Sequence, residues 1–69
     1  MALKELNTVA LLRDDKENHL RKGSIGTIVH QYGTDAFEVE FSDLNGQVYA
    51  SLTLDGKDLL LLCHEPEMV

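Results

Sequence analysis

The sequence predicts an all-β domain of five short strands closed into a small barrel. Three observations carry this. Residues 37–41 and 48–54 alternate between apolar and polar side chains, the period-two signature of strands buried on one face. Turn signals recur at close spacing, at 33–35, 43–46 and 55–58. Nowhere do apolar residues repeat at helical spacing over enough turns to form a stable helix face. A flat sheet of this size would expose one face and both edges, so closure is the economical arrangement.

Each element follows from its own residues. "TVALL" at 8–12 is a short β-prone run. "RDDKENHLRKG" at 13–23 is almost wholly polar, with Leu20 its one apolar residue, and reads as an exposed excursion loop. "SIGTIVHQY" at 24–32 is rich in β-branched residues, and Gly26 within it marks a bulge or a close backbone approach. "AFEVEFS" at 36–42 points Phe37, Val39 and Phe41 to one face and Glu38 and Glu40 to the other. "DLNG" at 43–46 contains Asn45-Gly46, the strongest short hairpin signal. "QVYASLTL" at 47–54 sends Val48, Ala50, Leu52 and Leu54 inward and Tyr49, Ser51 and Thr53 outward. "DGKD" at 55–58 is a turn with room for one turn of 3₁₀ helix, and "LLLLC" at 59–63 is the last strand. The polar end at 64–69 is expected to fray. One domain over 1–69 results, with an ordered core over about 6–63.

Size and charge narrow the function classes. A chain of 69 residues buries only about 60% of the surface that its unfolded form exposes. A deep enclosed catalytic pocket is therefore not expected. The formal net charge of −6 works against general binding to phosphate backbones and to anionic membranes. A single cysteine, Cys63, allows no internal disulfide and suits a reducing, cytoplasmic setting. The apolar patch at the N-terminus is broken by Lys4, Glu5 and Asn7, and reads as neither a signal peptide nor a membrane span.

The chain resembles the SH3-like small barrels. The resemblance rests on "ELNTVALL" at 5–12, "LRKGSIGTIVHQY" at 20–32, "FEVEF" at 37–41, "NGQVYASLTL" at 45–54 and "DLLLL" at 58–62. It looks most like an uncharacterised family of small bacterial SH3-like domains, common in cyanobacteria, with no assigned activity. Asn7 stands where that pattern more often has Asp, and His19 where it more often has Gly. The resemblance implies a fold and suggests a partner encoded by a neighbouring gene. "KGSIGTIV" is also similar to the glycine turn of the KOW motif, whose basic loops contact RNA.

Four groups of residues are candidates for a role. Gly23 and Gly26 raise the idea of a phosphate loop, but the turn feeds a strand rather than a helix and no Lys-Ser/Thr pair follows. Both glycines are accordingly read as structural, Gly23 in a tight turn and Gly26 at a bulge, as are Asn45 and Gly46 in the hairpin. Arg13, Lys16, Arg21 and Lys22 hold four of the six Lys and Arg residues and form a candidate loop contact, set among Asp14, Asp15 and Glu17. Glu38, Glu40 and Asp43, with Tyr49, form a candidate protein-contact face. Paired-carboxylate catalysis would need a pocket and one raised pKa, which an outward strand face does not offer. His19, His30, His64 and Cys63 lack zinc spacing, so no metal and no cofactor is expected. Polyproline recognition is disfavoured, because the chain has no Trp and only four aromatic residues.

The expected function is a non-enzymatic protein-interaction module, either a small accessory subunit or an antitoxin-like neutraliser of a partner protein. The alternative is a KOW-like nucleic-acid-binding module using the basic loop before Gly23, disfavoured by the acidity. A monomer or weak homodimer is expected.

Overall fold

The computed structural model describes residues 3–62. It is all-β: β1 (Thr8–Leu11), β2 (Ile25–Tyr32), β3 (Ala36–Ser42), β4 (Val48–Asp55), a 3₁₀ turn (Gly56–Asp58) and β5 (Leu59–Leu62). All pairings are antiparallel, and the strands form one sheet in the order β4-β3-β2-β1-β5. Strands β4 and β5 are its two edges. They are joined through the 3₁₀ turn and not by a ladder, so among the described residues the sheet is not closed by hydrogen bonds.

The sheet wraps one core. Val9, Leu11, Ile28, Phe37, Val39, Phe41, Leu54 and Leu59 form a single buried cluster drawn from all five strands. Burial of this apolar face is the main stabilising term. Strand β3 contributes three of these side chains, as its alternation predicts. Two register shifts interrupt the ladders, one between Ile28 and His30 and one between Phe41 and Ser42. Each gives the sheet an extra local twist.

Gly26 corrects one expectation. It is not bulged: it pairs in register with Val9 on β1 and Phe41 on β3. A Cβ there would lie 2.7 Å from a Val39 methyl and 2.9 Å from the Phe41 ring. The residue is glycine because the core presses against the backbone. The bulge lies further along, where Val29 is skipped between Ile28 and His30. Val48 is a second correction, since it is 47% exposed and not part of the core. It sits beyond the Phe41/Ser42 shift, which breaks the alternation that held Ala50, Leu52 and Leu54 inward.

Loop 12–24 is also more ordered than an exposed excursion. Asp15 and Leu20 exchange both backbone hydrogen bonds, at 2.8 and 2.9 Å, closing a miniature hairpin. Leu20 is 2% exposed and belongs to the core cluster. At the hairpin's tip His19 adopts a φ of 58°, the left-handed conformation that glycine reaches at least cost. Gly23, at φ 94°, then returns the chain to the sheet, its N–H donating to the Leu11 carbonyl at 2.7 Å. The hairpin between β3 and β4 is a three-residue loop: the Gly46 N–H donates to the Asp43 carbonyl, and Gly46 takes the left-handed position at φ 79°. Asn45 does not, so the Asn-Gly pair works here through its glycine alone.

Candidate protein-contact face

The core requirement of β3 decides what faces out. With Phe37, Val39 and Phe41 buried, Glu38 and Glu40 must project from the opposite side. Register places Glu38 between His30 on β2 and Thr53 on β4, and Glu40 between Thr27 and Ser51. Two carboxylates on neighbouring outward positions repel, and hydrogen-bond donors offset that repulsion for the one they reach.

Glu38 has those donors. The Ser51 hydroxyl donates to its Oε2 at 2.7 Å and the Thr53 hydroxyl to its Oε1 at 2.9 Å. Both hydroxyls come from β4, so the carboxylate bridges two strands. The Ser51 and Thr53 hydroxyls hold the Glu38 carboxyl below its ordinary value of 4.5; partial burial opposes them, and the Tyr32 hydroxyl and His30 ring add smaller effects in the same direction. Glu38 is therefore a fixed anion at neutral pH. Beside it the His30 and Tyr32 rings meet edge to face at 4.6 Å, and His30 Nδ1 lies 3.6 Å from Glu5 Oε2. Tyr49, 54% exposed, lies at the bulged end of β4, where the register skips it between Val48 and Ala50.

Two of the four face candidates, Glu38 and Glu40, thus share one surface, with Tyr49 exposed at the bulged end of the neighbouring strand. Asp43 is engaged within the hairpin itself. Its Oδ1 accepts the backbone N–H groups of Asn45 at 2.9 Å and Gln47 at 3.0 Å, which caps the hairpin. The face also gains Glu5, His30, Tyr32, Ser51 and Thr53. Alternation alone marks Ser51 and Thr53 as outward. Which carboxylate they reach depends on the register of β4 against β3, which no single strand encodes.

The loop candidates divide in the same way. Arg13 Nε donates to Asp58 Oδ2 at 3.2 Å, and Arg13 also lies 3.8 Å from Asp15, so it ties the loop to the start of β5. Lys16 and Arg21 line a shallow depression with His19 and Leu20. Lys22 donates its backbone N–H to Asp14 Oδ1 at 2.8 Å. Among the described residues the side chains of Lys16, Arg21 and Lys22 make no ion pair.

Other surface features are open. Asp35 and Lys57 rim a depression floored by Phe37 and Gly56, at the opposite end of β4 from Tyr49. Among the described residues no three His, Cys, Asp or Glu side chains are grouped to hold a metal ion. Cys63 and His64 lie outside the described residues. No helix among the described residues is long and apolar enough to cross a membrane.

Residues 5–61 match the family model described as "Domain of unknown function (DUF4926)", and the chain belongs to that family. No curated protein and no solved structure matches the chain.

Proposed function

We propose that this member of the DUF4926 family is a non-enzymatic protein-interaction module that binds a basic partner through the outer face of β2, β3 and β4. One observation carries the reading. Glu38 is held as an anion by two hydroxyls of the neighbouring strand, beside Glu40 and exposed Tyr32, with exposed Tyr49 further along β4. A carboxylate stabilised in its charged form suits ion pairing and not proton donation. Its side chain is already ordered, so a partner meets it with less entropy to lose. Rim charges steer encounter while tyrosines supply contact area, and both are present on this face. A small accessory subunit or a neutraliser of a toxin-like partner encoded nearby is the biological form we propose.

Affinity capture on the immobilised chain tests this, with a Glu38→Lys/Glu40→Lys variant run in parallel. A partner kept by the parent chain and lost by a folded variant is the expected result. Equal retention by both, or no retained protein, counts against the face.

A second reading has its own observation. Lys16, Arg21 and Lys22 are all exposed, and Lys16 and Arg21 line one depression of the loop hairpin, which favours a KOW-like contact with nucleic acid. That reading requires an RNA or DNA shift at low salt that weakens steeply as salt rises and disappears in Arg21→Glu/Lys22→Glu.

A further inference from the structure

Strand β4 is an edge of unusual length for so small a sheet. It runs eight residues, against four for β5 at the other edge. Exposed edges present unpaired backbone N–H and C=O groups, and proteins commonly blunt them with short length, charges, proline or bulges. Strand β5 is blunted by its shortness. Strand β4 has one bulge, near its start at the Phe41/Ser42 shift, and then pairs in unbroken register from Ala50 to Asp55. Between Asp43 and Asp55 the sequence has no charged residue and no proline. On the core side of this strand Ala50 and Leu52 pack against the cluster yet stay only partly buried, and no further strand among the described residues lies beside them.

The outer side of the same edge is acidic. Ser51 and Thr53 stand in front of Glu38 and Glu40. A strand added beside β4 would lie about 4.8 Å from it and about 10 Å from β3. An extended Lys or Arg and an extended Glu span that gap between them. A second copy of this chain is the poorer occupant. It would set two acidic faces side by side on molecules that each carry a formal charge of −6.

We propose that β4 accepts an added strand from a partner, an extended cationic segment alternating basic and apolar residues. Its basic side chains line up along Ser51 and Thr53 toward Glu38 and Glu40. Its apolar side chains complete the cover over Ala50 and Leu52. Main-chain pairing supplies affinity and the alternation supplies specificity. This rests on the acidic-face reading above and adds the geometry by which the face is engaged.

The test uses a terminally blocked decapeptide alternating Lys and Val, a twin methylated at every second backbone nitrogen, and the whole chain. Amide hydrogen exchange is followed residue by residue. The expected result is slowed exchange at alternate β4 amides with the first peptide, no binding of the methylated twin, and loss of binding by Glu38→Gln/Glu40→Gln. Equal binding of the twin would overturn strand addition and leave the acidic face standing. Unchanged binding by the double variant would overturn the cationic assignment. No binding of either peptide would overturn the proposal, while the capture experiment judges the face separately. Protection of β4 that rises with the concentration of the chain alone would make a second copy the occupant and overturn the partner.

Discussion

Loop 12–24 and the outer face of β3 carry most of the charge considered above, and they handle it in opposite ways. In the loop the acidic side chains turn back on their own segment. Asp14 accepts from the Lys22 backbone, Asp15 accepts from Asn18 and pairs with Arg13 at 3.8 Å, and Arg13 reaches Asp58. On the face the carboxylate is held from a neighbouring strand, by Ser51 and Thr53. Similar polar residues thus close a hairpin in one place and present an ordered anion in the other. Charge in a sequence therefore says little about partners until each group's hydrogen bonds are known.

The two regions can be separated by substitution. Leu20→Ala should have the largest effect, because the residue is 2% exposed and anchors the loop in the core. A loss of about 2–5 kcal/mol is expected in chemical denaturation. An effect below about 1 kcal/mol would show that the loop is held by its polar bonds instead. Asp43→Ala removes the acceptor for two backbone N–H groups at the β3–β4 hairpin. A loss of about 1 kcal/mol should follow, with binding at the face unchanged. If binding falls while stability holds, Asp43 is a contact after all.

His19→Gly should act in the other direction. Relief of the left-handed φ is opposed by the greater freedom of glycine when unfolded, so a gain of under about 1 kcal/mol is expected in thermal melts. The smallest change concerns Glu38 and is confined to acid. Its folded pKa lies below the ordinary 4.5, so the folded state binds fewer protons there than the unfolded chain. The contribution is complete above 4.5 and is lost as pH falls through the lower, folded value. A pH series of denaturation curves on the parent and Glu38→Gln should differ in slope only in that acid range. Parallel slopes would mean that Ser51 and Thr53 do not favour the anion.

Much of this architecture is legible in the residues, for identifiable reasons. Strand β3 announces itself because a two-residue period places Phe37, Val39 and Phe41 together without reference to any other strand. The turn at 55–58 and the return of the chain at Gly23 are equally local. Leu20 is not legible as core, since one apolar residue in a polar stretch has no period. Val48 misleads because a register shift interposes between it and the residues it alternates with. Gly26 shows the limit of reading a glycine: the sequence marks it, but only the packing of Val39 and Phe41 tells a close approach from a bulge. Of the face, Glu38 and Glu40 are foreseeable from alternation. The capping role of Asp43 is a turn side chain bonding its own backbone, and the pairing of Glu38 with Ser51 and Thr53 needs the register between strands.

The pairing of β1 with β5 has a mechanical consequence. Thr8, at the start of β1, lies opposite Leu62, at the end of β5. Tension drawn through the two ends of this ladder would load its hydrogen bonds singly, beginning at that pair, in the manner of an opening zip. On the amino-terminal side, however, Leu6 donates to the Ile28 carbonyl at 2.7 Å and Asn7 accepts from the Ile28 N–H at 2.9 Å, which clips the chain to β2 before β1 begins. Under load β5 would peel first, and the β2–β3–β4 face would be the last part of the sheet to feel the pull.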